Sequence, residues 1–86
     1  LRVWPFGGPV GLREHNPRSG RTDVHVFDQW CHLATVHSDD ELAEVLQARP
    51  SALAFDLDTY KLAVKYLTAP GKPGVNLMQL GAFVMQ

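Results

Sequence analysis

The chain has 86 residues, room for one hydrophobic core and one domain. Eight Lys and Arg against nine Asp and Glu give a net charge of −1, so any contact with a polyanion has to come from a local patch. An apolar fraction of 45% argues against disorder, and the single cysteine, Cys31, excludes an intrachain disulfide and a thiolate-built zinc site.

Residues 1–4 are apolar and β-prone, and Pro5 with Gly7-Gly8-Pro9 forces a turn after them. Val10 and Leu12 alternate with Gly11 and Arg13, the pattern of a strand with one buried face. Asn16-Pro17-Arg18-Ser19-Gly20 reads as a loop: Pro17 moves Asn16 out of helical geometry and Gly20 permits a positive φ. Strand character resumes over 22–27, with Val24 and Val26 on one face and His25 and Phe27 on the other. A break at Asp28-Gln29 precedes a further strand-like run over 30–36. The spacing predicts four short strands in a meander or a pair of hairpins.

Ser38-Asp39-Asp40-Glu41 is a capping box, in which Ser38 caps backbone N–H groups and Glu41 reaches back to the Ser38 N–H. Leu42, Val45 and Leu46 continue it as a helical apolar stripe, ending near Arg49 ahead of Pro50. A second helix is expected from about Asp56 to Leu67, burying Leu57, Tyr60, Val64 and Leu67, with Lys61 and Lys65 one turn apart on another side. Residues 69–74 read as a mobile connection, 75–80 as a returning strand, and 81–86 as an apolar terminus. The expected fold is α+β: a small antiparallel sheet of four to five strands with two helices packed on one face. The strand-like start at Leu1 reads as one domain, 1–86, cut from a longer polypeptide.

No complete catalytic or metal-binding set is visible. Asp56 and Asp58 lie two apart at a helix start, where they point in different directions and serve the helix end. His15, His25, His32 and His37 are scattered; facing strands bring His25 and His32 near one another, but two imidazoles without a third ligand do not make a zinc site. Cys31 and His32, adjacent on a strand, point to opposite faces and cannot act as nucleophile and base; Cys31 is expected in the core. Neither Gly7-Gly8-Pro9-Val10-Gly11 nor Gly71-Lys72-Pro73-Gly74 has the context of a phosphate-binding loop. Arg13, Arg18 and Arg21 surround the hairpin tip and are the candidates for phosphate contact, with Lys61 and Lys65 as helical partners. Trp4, Phe6 and Trp30 are expected as core anchors rather than as platforms for bases.

An ordered series of segments carries a family resemblance: Leu1-Arg2-Val3-Trp4-Pro5-Phe6, Val10-Gly11-Leu12-Arg13-Glu14, Val24-His25-Val26-Phe27-Asp28-Gln29-Trp30 and Phe55-Asp56-Leu57-Asp58-Thr59-Tyr60-Lys61-Leu62. Over roughly 1–67 the chain resembles the carboxy-terminal region of the excinuclease Cho family, the UvrC-like repair endonucleases. Similar regions end longer DNA polymerase III ε-subunit-like exonucleases that also carry a GIY-YIG domain. The resemblance implies a parent that cuts or trims DNA, with catalysis and any divalent metal in an upstream nuclease domain. The Gly-Ile-Tyr and Tyr-Ile-Gly motifs are both missing from this chain, so no catalytic residue transfers to it.

The expectation is a non-catalytic accessory domain without a cofactor of its own. It positions DNA through Arg13, Arg18, Arg21, Lys61 and Lys65, or docks on the upstream nuclease domain. The alternative is a structural, protein-interaction or dimerisation module with no DNA contact, using an exposed apolar patch around Trp4, Phe6 or Phe83. No apolar run approaches the about 18–20 residues of a membrane span; with no signal peptide in view and one free thiol, a cytoplasmic location is expected.

Overall fold

The computed structural model describes residues 1–48, 53–69 and 71–81. Six elements follow in order: β1 (Val10–Asn16), β2 (Arg21–Asp28), β3 (Cys31–Val36), α1 (Asp39–Gln47), α2 (Leu57–Thr68) and β4 (Val75–Gln79). The four strands form one antiparallel sheet in the order β3-β2-β1-β4. This is the α+β class expected, with the returning strand in place beside β1.

The β1–β2 turn is built as its residues dictate. The Asn16 side-chain carbonyl accepts from the N–H groups of Arg18 (2.9 Å) and Ser19 (3.3 Å), and Gly20 takes a φ of 72°. The β2–β3 turn is less expected. Gln29 and Trp30 both have positive φ, 50° and 64°, so Trp30 is a turn residue and not the first residue of a strand.

Residues 1–4 form no strand. Leu1 and Val3 are exposed, and the segment is tied down by side chains instead: Trp30 Nε1 donates to the Arg2 carbonyl (2.9 Å) and the Arg2 N–H donates to the Tyr60 hydroxyl (2.8 Å). The β-prone composition is satisfied without a strand, because Trp4 and Phe6 enter an aromatic cluster while Leu1 and Val3 stay in water. Trp4 stands edge-on to Phe6 (5.0 Å) and Trp30 (4.9 Å), and Trp30 edge-on to Tyr60 (5.4 Å). Trp4 and Trp30 are buried and Phe6 half-buried, as core anchors should be. Trp4 therefore does not contribute to an exposed apolar patch, and Phe83 lies outside the described residues.

Both helices begin where their capping residues predicted. Ser38 Oγ accepts from the Glu41 N–H (3.2 Å), and the Glu41 carboxylate meets the Ser38 hydroxyl (3.4 Å). Asp56 Oδ2 accepts from both the N–H and the hydroxyl of Thr59, each at 2.8 Å. In α2 the deepest residues are Ala63 and Leu67, flanked by Tyr60 and Val64; Leu57, in the first turn, is half exposed. Helix α1 is capped by Ala48, and Arg49 and Pro50 lie outside the described residues.

The helices do not share a face of the sheet. Val10 pairs with Phe27 and Leu12 with His25, and this set packs with Ala63, Leu67 and Tyr60 of α2. Val24, Val26 and Val36 point the other way and pack with Leu42 and Leu46 of α1 and with Leu80. A β-bulge contributes: Val26 pairs with Ala34 but Phe27 with His32, which leaves Leu33 as an extra residue. Leu33 and Ala34 both join the α1 cluster. Each side of the sheet is apolar enough to hold one helix, so each side takes one.

Candidate functional site

The residues singled out from the sequence do not assemble into one patch. Arg13 pairs with Val24 and so lies on the α1 side of the sheet, whereas Arg21, which pairs with Asn16, lies on the α2 side; Arg18 is at the turn between them. All three are exposed. Arg21 is engaged on the sheet: its Nε lies 3.7 Å from Asp23 Oδ1 and its Nη2 lies 3.3 Å from His37 Nε2. The reason is electrostatic. Glu14 and Asp23 are direct cross-strand partners of like charge. His25 approaches Glu14 (3.6 Å), while His37 Nδ1 (2.6 Å) and Arg21 meet Asp23.

His25 and His32 do come together, through Thr35. Its hydroxyl lies 2.8 Å from His25 Nδ1 and 3.1 Å from His32 Nε2. Desolvation beside the Phe27 ring, then the charge of His25, push the His32 imidazole below its ordinary value, against a backbone hydrogen bond with Ala34 that raises it. Among the described residues no three His, Cys, Asp or Glu side chains converge as metal ligands. Cys31 is buried; desolvation, then the neighbouring Asp28 charge, raise its thiol pKa, which opposes thiolate chemistry. Asp56 is committed to its cap, and the Thr59 N–H and then the Thr59 hydroxyl hold its carboxyl below the usual range.

Helix α2 overhangs the sheet and leaves a groove on each side of Tyr66. One, of about 420 Å³, has Leu62 and Tyr66 above and Leu12, His25, Phe27 and His32 below. The other, of about 390 Å³, runs along Lys65, Tyr66, Lys72 and Leu77. Lys61 and Lys65 are exposed on this helix, and Lys65 Nζ and Lys72 Nζ lie 5.4 and 5.7 Å from the centre of the Tyr66 ring. Sequence reasoning found Lys61 and Lys65 from their helical spacing. It missed Tyr66 and Lys72, which meet only because the 71–74 turn folds back toward α2: the Val75 N–H bonds the Lys72 carbonyl (3.0 Å) and the His15 N–H bonds the Gly74 carbonyl (2.9 Å).

The sequence model of the excinuclease Cho C-terminal domain matches residues 9–83. The chain belongs to this family. Curated relatives called excinuclease Cho are 36% identical over 69 residues in Salmonella typhi and in Salmonella typhimurium, and 35% identical over 69 residues in Escherichia coli K12. In each case the match covers 78% of this chain and 22% of the relative, so the chain spans about a fifth of the length of the proteins it matches. No solved structure matches the chain significantly. Among the described residues of this Cho-type domain, no helix is long and apolar enough to cross a membrane.

Proposed function

We propose that this chain is the non-catalytic carboxy-terminal accessory domain of a DNA-repair nuclease of the excinuclease Cho type. In this reading it positions DNA in the bacterial cytoplasm for an upstream nuclease domain of the same polypeptide. That upstream domain breaks the phosphodiester bond and takes any divalent cation the reaction needs. Of the two parents the resemblance implies, the relatives support the excinuclease; the ε-subunit-like exonuclease and the GIY-YIG character of the upstream domain rest on the resemblance alone.

The observation that carries the DNA contact is a set of exposed cations, Arg13, Arg18, Lys61 and Lys65, that make no ion pair among the described residues. Cations left in water in a chain of net charge −1 are available to phosphate oxygens. Arg21, held by Asp23, contributes less. The test is electrophoretic mobility shift of the chain with branched and single-stranded DNA at two salt concentrations. The expected result is binding that weakens with salt and with replacement of these residues by Ala; salt-insensitive binding, or none, refutes the reading.

A second reading, a protein-docking or dimerisation module, draws on a different observation. Phe55, Leu57 and Leu62 are 50%, 50% and 56% exposed along one helix and its approach. It predicts a concentration-dependent mass in light scattering and no shift of DNA.

A further inference from the structure

The lysines of this chain and its acidic helix lie on opposite sides of the sheet. Helix α1 carries Asp39, Asp40, Glu41 and Glu44 and no basic residue. The chain's three lysines, Lys61, Lys65 and Lys72, all lie on α2 or in the turn that follows it. Because the helices cover opposite faces, all three lysines lie on the side away from α1, where Glu14, Asp56 and Asp58 also lie. The α2 side offers a polyanion local cations rather than a basic face.

At the centre of that side is Tyr66, 45% exposed, with Leu62 and Leu77 exposed beside it. Its ring separates the two grooves, each large enough for a small planar ligand. Lys65 and Lys72 reach the ring from the helix and from the turn. We infer that this surface is a binding site for single-stranded DNA, with an unpaired base stacked on Tyr66 and the flanking phosphates on Lys65 and Lys72. The inference rests on the DNA-positioning reading and specifies its site and its strand form.

The physical argument has three parts. An exposed cation–π contact is weak, so the ammonium groups leave the ring for phosphate oxygens at little cost. Stacking on an aromatic side chain needs a base that is out of its duplex, which favours single strands. Glu14 lines both grooves; His25 stands 3.6 Å from its carboxylate, and Lys65 and Lys72 share the second groove with it, so the phosphates are carried on the outer, solvent side of the lysines.

The test is fluorescence anisotropy of the 86-residue chain with a labelled oligothymidine of about 12 nucleotides and a duplex of equal length, at several salt concentrations. Single strands are expected to bind more tightly than duplex. Tyr66→Ala should lower affinity about tenfold and Tyr66→Phe should retain it. Lys65→Ala and Lys72→Ala should each flatten the slope of log K against log salt by about 0.7. Thermal melting of each variant checks its fold. Unchanged affinity in Tyr66→Ala, together with loss in Arg13→Ala/Arg18→Ala, overturns the inference and moves the contact to the hairpin, leaving the broader reading intact. Preference for duplex overturns it as well. Failure to bind any DNA form at low salt removes both.

Discussion

Gln29 and Trp30 occupy the left-handed region, which costs a side chain with a Cβ roughly 1–2 kcal/mol. At Trp30 the cost is offset by burial: the indole packs on Trp4 and Tyr60 and donates to the Arg2 carbonyl. Gln29 is exposed and has no such compensation. Gln29→Gly should therefore raise stability by about 0.5–1 kcal/mol, net of the greater chain entropy of glycine, which urea denaturation would read. Two titrating residues make their own predictions. Asp56 has a lowered folded pKa, so its stabilisation is present above the ordinary carboxylate value of about 3.9 and is lost as pH falls through the lowered one. Asp56→Asn keeps a capping acceptor, and its melting temperature should fall less steeply in acid. His32 is a base with a lowered folded pKa, so the unfolded chain binds its proton more readily. Stability should rise with pH from the lowered value to about 6.5 and level off above it, and His32→Gln should flatten that rise in thermal melts.

At the level of elements, β1 is the centre of assembly, since it pairs with both β2 and β4. Gly11, in β1, allows the α1 side to close: a Cβ there would stand 2.8 Å from Val24 Cγ1 and 3.3 Å from both Leu80 Cδ1 and Met78 Cε. Gly11→Ala should cost about 1–3 kcal/mol, measured by chemical denaturation, because three neighbouring side chains would have to give way. The alternation of apolar residues made β1 and β2 legible, and Ser38 and Asp56 marked the helix starts within a residue. The bulge at Leu33 was not legible. One extra residue reverses the inside–outside pattern of a strand, and nothing in its composition marks the slip. The leading run over 1–4 misled for another reason: its β-prone composition does not pair it with a neighbour, and Leu1 and Val3 stay exposed while Trp4 is buried.

For the whole molecule, the lysines gather on the α2 side of the sheet, opposite an acidic α1, and Tyr66 stands among them. The domain should not hydrolyse DNA by itself. Incubation of the chain with labelled single-stranded and branched substrates and Mg²⁺ or Mn²⁺ should release no product, and cleavage that survives repurification would refute the accessory role. Local chemistry in the sequence determined the α+β class and the helix starts; each of these depends on residues near one another along the chain. Only the tertiary structure decided which faces the helices cover, that Arg13 and Arg21 part company, and that Lys72 meets Tyr66. Those outcomes depend on how far the chain turns at its loops and on which side it returns. Spacing along a sequence does not encode either quantity, and a sheet with two apolar faces leaves both sides open to a helix.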